Sequence, residues 1–255
     1  MLIDALAHLT DPRVTELDPI LGRARDAGVT TIISAGTDPL SASEHAPIDS
    51  HSPVVKRAFG LHPANVDSSL LPAQLAALER LLENPEVVAL GEIGVDRRDG
   101  MPPVDAQLAA FTAQLELAHQ GEWPIILHSV AAVGITLTEL QRHGQLVAGG
   151  IWHGFTGPAD IIEKLQTLNL SVSFGTLVTQ AHAGRCRIAA ARTPLSQLLV
   201  ESDCPDHPTP KSESGMGEPS GLIEIIETLA ELRSESYEEI AVATADNARR
   251  LYRLR

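Results

Sequence analysis

Short apolar runs alternate with longer amphipathic stretches from one end of the chain to the other. The runs predict eight strands, over residues 2–6, 30–34, 54–60, 87–91, 125–127, 146–152, 170–174 and 198–201. They are rich in Val and Ile and lack strict polar alternation, the pattern of strands covered on both faces. Between them lie helical patterns. Leu71, Leu75, Leu78 and Leu82 fall on one face, and Leu108, Phe111 and Leu115 repeat the spacing after Pro102 and Pro103. Pro158 is placed as a first-turn proline ahead of Ile161, Ile162 and Leu165. Ser236 and Glu239 form a capping box opening a helix through Ile240, Ala243 and Asn247 to Leu251. Gly28 and Gly144 stand where helix-ending glycines belong.

Eight strands, each followed by helical material, predict an α/β chain folded as a (β/α)8 TIM-type barrel, a single domain over residues 1–255. An open doubly wound sheet shares the alternation but usually has fewer strands. No Gly-x-Gly-x-x-Gly follows the first run, no P-loop occurs and no internal repeat is present. The Pro-, Ser- and Gly-dense stretch 205–219 follows the last strand, where a barrel carries an active-site loop.

Composition narrows the picture. Apolar residues make up 44% of the 255 and aromatics only 3%, so the core is aliphatic, which favours helices around buried strands. A net charge of −14 argues against a broad basic face for nucleic acid; a nuclease that holds phosphate through a metal does not need one. Cys186 and Cys204 have neither metal-type spacing nor a disulfide framework, and Cys204 reads as a small buried filler rather than a nucleophile. The opening MLIDALAHL lacks the features of a signal peptide and no run reaches membrane-span length, so a soluble, cytoplasmic protein with no membrane contact is expected.

The chemistry lies at the strand ends. His62, Glu92, His128, His153 and Asp203 each fall at the carboxyl end of a predicted strand, which in a closed parallel barrel is one face. A single His there often only satisfies a hydrogen bond, and a single Glu or Asp often pairs at the surface. Two of these three imidazoles with the two carboxylates make a ligand set for a divalent cation such as Zn²⁺ or Mn²⁺.

The segments GLHP (60–63), ALGEIGVD (89–96), PIILHS (124–129), HGFTG (153–157), LLVESDCP (198–205), GEP (217–219) and TADNARRLY (244–252) agree in order and spacing with one family. Over essentially its full length the chain resembles the TatD-like metal-dependent hydrolases. The resemblance implies a TIM-type barrel and metal-assisted hydrolysis, often of DNA phosphodiesters, with Mg²⁺, Mn²⁺ or Zn²⁺. It implies Glu92, His128, His153 and Asp203 as metal ligands, Glu92 as the residue that bridges two ions where both are bound, and Asp203 as the group that orients or deprotonates the attacking water.

The chain also departs from that family. Many members begin with a His-x-His pair; here the first position is Leu6 and only His8 remains, either a further ligand or a hydrogen-bonded residue of the barrel mouth. Ala64 stands where a second His often follows His-Pro, although His62 is kept. Val130 replaces a common Arg, and Gly215, Met216 and Gly217 replace the Arg and Asn residues before Glu-Pro. One metal site is therefore expected, with a second resting on His8 and His62 alone. Substrate contacts are expected from His62, Arg97 and Lys211, with Arg98 beside them; the three cations read equally as solvated charges. Three functions follow: a phosphodiesterase or deoxyribonuclease of 3'-5' exonuclease type acting on DNA or nucleotides; the same chemistry on a non-nucleic-acid ester or amide; or a weakly active barrel kept as a component of a larger protein assembly.

Overall fold

The computed structural model describes residues 1–212 and 214–254. Its strands are β1 (Leu2–Ala7), β2 (Val29–Gly36), β3 (Val54–Phe59), β4 (Val87–Asp96), β5 (Ile125–Val130), β6 (Gly150–Trp152), β7 (Leu170–Phe174) and β8 (Leu198–Val200). They form one parallel sheet in sequence order, each strand bonded to the next. Helices α1 (Leu17–Asp26), α2 (Leu71–Leu82), α3 (Val104–Gly121), α4 (Val133–His143), α5 (Ile162–Thr167), α6 (Gly184–Arg192), α7 (Leu222–Leu232) and α8 (Tyr237–Leu251) surround it. This is the predicted TIM-type barrel, nearly closed.

The seam between β8 and β1 is held by a few bonds rather than a ladder. Asp203 N donates to Leu6 O at 3.0 Å and His8 N to Cys204 O at 2.7 Å. The fully buried Asp4 carboxylate accepts from Ser202 N at 2.8 Å and from Ser202 Oγ at 2.6 Å. Helix α8 packs across the same seam. Tyr252 donates its hydroxyl to Ala5 O, and Asn247 Nδ2 donates to Leu195 O and Leu198 O. The motif at 244–252 is thus a structural clamp.

Two apolar layers fill the molecule. Inside the barrel, Ile3, Ala5, Ile33, Ala35, Ala89, Ile126 and Ile151 pack together, the alanines making room for the branched chains across from them. Outside, Leu78, Phe111, Leu115, Ile225 and Ile226 bury helix faces on Leu90, Leu127 and Val172. Among the described residues no helix is long and apolar enough to cross a membrane.

Several boundaries differ from the sequence reading. Strand β4 runs five residues past Gly91, so Glu92 lies within it. The glycines that suggested its end are what let it continue: a Cβ on Gly94 would fall 1.9 Å from His128 O, so only glycine lets β4 approach β5 there. Strand β6 is shorter than expected, because Gly149, at φ 77°, turns the chain just before it. Pro158 precedes a 3-10 turn, Ala159–Ile161, that leads into a two-turn α5, so it is not in an α-helical first turn. Gly28 and Gly144, both at φ 80°, end α1 and α4 as read, and the Ser236–Glu239 capping box is present. Of the loop 205–219, Glu213 lies outside the described residues.

Candidate metal centre

Glu92 is the hub of the barrel mouth. Its carboxylate is 2% exposed, with Oε2 2.8 Å from His153 Nε2 and 3.3 Å from His128 Nδ1, and Oε1 2.7 Å from His8 Nε2. His128 Nδ1 and His153 Nε2 face each other at 3.0 Å, and His8 Nε2 lies 3.5 Å from Asp203 Oδ1. Strands β4 and β5 and the segments following β1, β6 and β8 therefore deliver His8, Glu92, His128, His153 and Asp203 to one point. The His62 ring meets His128 edge-on, centroids 4.3 Å apart, and His62, Glu92 and His128 offer ligand atoms all within 4.8 Å of one another.

Burial alone would raise the Glu92 carboxyl, but the surrounding imidazoles hold it well below the usual range. Burial works against a charge on His8 and His153 too, but Glu92 together with Asp203 at His8 and with Glu201 at His153 outweighs it, holding both well above 6.5. His62 goes the other way: burial, and then repulsion from His128, bring it to about 3, so it stands neutral.

The donor set fits a divalent cation. Bonds of about 2.1 Å at tetrahedral or octahedral angles place neighbouring ligand atoms roughly 3 to 3.4 Å apart, close to the 2.7 to 3.5 Å found here. Glu92 Oε1 is buried and makes no hydrogen bond, although His8 Nε2 is near it. A cation among these atoms would satisfy that oxygen.

Two residues the sequence reading passed over hold the imidazoles from behind. Asp96, fully buried, places Oδ2 3.2 Å from His128 Nε2. Burial would raise its carboxyl; His128 and Arg98 together keep it well below the usual range. Glu201 Oε1 lies 3.4 Å from His153 Nδ1 and accepts from Gly154 N at 2.6 Å, while its Oε2 accepts from Ser173 Oγ at 2.5 Å. His8 is held likewise, its Nδ1 3.1 Å from Ala35 O. Hydrogen-bonded partners such as Asp96 and Ala35 O fix the ring orientation of a metal-binding histidine, whereas His153 Nδ1 makes no hydrogen bond among the described residues and meets Glu201 as a charge contact only. The signal was in the motifs: Asp96 follows Glu92 by four on a strand, hence on the same face, and Glu201 precedes Asp203 by two.

Asp203 stands at φ 53°, a left-handed conformation that Asp tolerates better than most residues, and keeps 20% of its side chain exposed. A cleft of about 610 Å³ opens above this point, with His62, Ala64 and Val130 in its wall. Leu6 is fully buried in the apolar layer, so the position of the missing first His offers no ligand atom. Two of the expected substrate contacts are not in the cleft. Arg97 is exposed outside it, and Lys211 pairs with Glu227 at 3.1 Å on the surface. Arg13 and Arg98 line it instead. Cys204 is fully buried and burial pushes its thiol far up, as suits a filler.

The family model described as "TatD related DNase" matches residues 3–253. The chain belongs to the TatD family. It is 32% identical to the metal-dependent hydrolase YabD of Bacillus subtilis, over all of both chains. It is 33% identical to the 3'-5' ssDNA/RNA exonuclease TatD of Pantoea vagans, over 99% of this chain and 100% of that one. Among solved structures, the TatD homologue YjjV of Escherichia coli superposes with a TM-score of 0.86 at 30% identity, covering 100% of this chain and 98% of YjjV. As a TatD-family barrel, the protein is a metal-dependent hydrolase.

Proposed function

We propose that this protein is a phosphodiesterase that hydrolyses nucleic-acid ends as a 3'-5' exonuclease, using one divalent ion held by Glu92, His128, His153 and Asp203, with His8 at its edge. The observation that carries this reading is the convergence of three imidazoles on the buried carboxylate of Glu92, with Asp203 beside one of them, His8. The name of the Pantoea relative supports the substrate class.

When bound, the ion would lower the pKa of an attacking water and offset charge on the phosphoryl oxygens. The protein's own groups do the rest. Glu92 is locked among His8, His128 and His153, so its part is to hold charge rather than to move a proton. Asp203 keeps an exposed edge on the cleft and is the group placed to take a proton from water. His62, neutral and at the cleft wall, has its Nδ1 engaged by Ala64 N at 3.1 Å and offers Nε2 to the substrate. A second ion would lack a ligand at Leu6, so a single ion is the working state.

The test is hydrolysis of single-stranded DNA by purified protein with Mg²⁺, Mn²⁺ or Zn²⁺, compared with Glu92→Ala. Equal turnover by the two would remove this mechanism. A second reading, a non-nucleic-acid ester or amide as substrate, is favoured by Val130 and Ala64 in the cleft wall. A panel of chromogenic esters separates the two: clear preference for DNA over all of them ends the second reading.

A further inference from the structure

A polyanionic substrate must approach a chain of net charge −14, so the positive groups around the cleft decide what it grips. Besides histidines, Arg13 and Arg98 are the cations that line it among the described residues. They are not equivalent. Arg13 is consumed by two carboxylates: Asp11 takes Nε and Nη2 at 2.9 and 2.8 Å, and Asp206 takes Nη1 and Nη2 at 2.6 and 3.0 Å. Its role is to tie the loop after β1 to the loop after β8.

Arg98 is held on one edge only. Its Nε and Nη2 donate to Asp96 Oδ2 at 2.8 and 2.5 Å, and its backbone N donates to Asp96 Oδ1 at 2.9 Å. Nη1 makes no hydrogen bond among the described residues, and 56% of the side chain is exposed. The carboxylate that steadies it also holds His128 Nε2 at 3.2 Å. One buried carboxylate thus fixes the guanidinium in place relative to an imidazole of the candidate metal centre. A pre-positioned guanidinium with a free edge suits a phosphate oxygen.

We infer that Arg98 grips a second phosphate of the substrate, next to the one being cleaved, so that the enzyme favours oligonucleotides over a lone phosphodiester. This rests on the phosphodiesterase reading above. Arg98 would act on binding, whereas a purely structural role through Asp96 and His128 would alter turnover of every substrate alike.

The experiment compares TpTpT (trithymidylate without a terminal phosphate), which has a phosphate beside the scissile one, with TpT (dithymidylate without a terminal phosphate), whose single phosphate is the scissile one. The metal-loaded wild type is expected to show a KM about ten-fold lower for trithymidylate, from one charge-assisted contact. In Arg98→Gln that preference should collapse to about one, with Arg98→Lys between them. A preference kept in Arg98→Gln, or a fall in kcat shared equally by both substrates with the preference intact, overturns the inference while leaving the phosphodiesterase reading standing. Calorimetric titration with pyrophosphate gives a readout independent of turnover: wild type should bind it about ten-fold more tightly than Arg98→Gln. If neither dinucleotide nor trinucleotide is cleaved, the phosphodiesterase reading fails, and a retained pyrophosphate difference still supports Arg98 as an anion grip. Equal pyrophosphate affinity overturns it.

Discussion

Glu201 Oε1 lies 3.4 Å from His153 Nδ1, on the opposite edge of the ring from the Nε2 that faces Glu92 at 2.8 Å. With Gly154 N and Ser173 Oγ both donating to it, Glu201 is held in place behind the ring, close enough to attract Nδ1, although that nitrogen makes no hydrogen bond among the described residues. Replacing Glu201 with Gln should weaken metal binding by about ten- to a hundred-fold. Competition titration against a chelator measures this. Unchanged affinity would show that the ring is oriented by packing alone.

Loss of Glu92 should be more severe. Glu92→Ala removes the one group common to His8, His128 and His153, and hydrolysis should fall by at least about a thousand-fold, the scale at which electrostatic machinery is usually felt. Elemental analysis should show substoichiometric metal, and circular dichroism should show the barrel intact. Chelation of the wild type should give the same loss, reversed on adding metal back. Turnover within ten-fold of wild type in Glu92→Ala would contradict the assignment.

Asp4 gives the seam a pH dependence. Burial raises its carboxyl to about 7, against the pull of the Ser202 hydrogen bonds. The folded state therefore holds this proton more tightly than the unfolded chain. Its contribution is complete below pH about 4, is lost as pH rises towards 7, and is constant above. The upper bound is about 4 kcal/mol. Asp4→Asn should flatten this part of the profile, so urea unfolding at pH 5 and pH 8 should differ less in the variant than in wild type. Comparing the two proteins cancels titrations they share. An equal difference in both would remove Asp4 as the source.

The capping box of α8 is exposed and takes no part in lining the cleft. Ser236→Ala should cost about 1 kcal/mol, or roughly 2–4 °C in Tm for a chain of this size. Scanning calorimetry reads it directly. No change in Tm would mean that α8 is held by the Tyr252 and Asn247 bonds alone.

How much was legible follows from what each feature depends on. The strands, the capping box and the helix-ending glycines are local, written in apolar runs and backbone preference, and the structure reproduces them closely. The convergence of Glu92, His128, His153 and Asp203 was also readable, because a closed parallel barrel brings every strand's carboxyl end to one face. The sequence could not show where β4 stops. Its glycines look like a break, yet Gly94 is what allows contact with His128 O.

By itself, then, the sequence determined the barrel, the family and which residue types meet at its mouth. Tertiary structure alone decided which cation is anchored at the cleft. Arg97, Arg98 and Lys211 look alike in sequence, but of the two that follow β4 only Arg98 turns its side chain back onto the buried Asp96, while Lys211 is drawn to Glu227 on the surface. It also decided that Asp96 and Glu201 stand behind the imidazoles. Such pairings depend on inter-strand register and on side-chain direction across the barrel, and neither is encoded in any short stretch of chain.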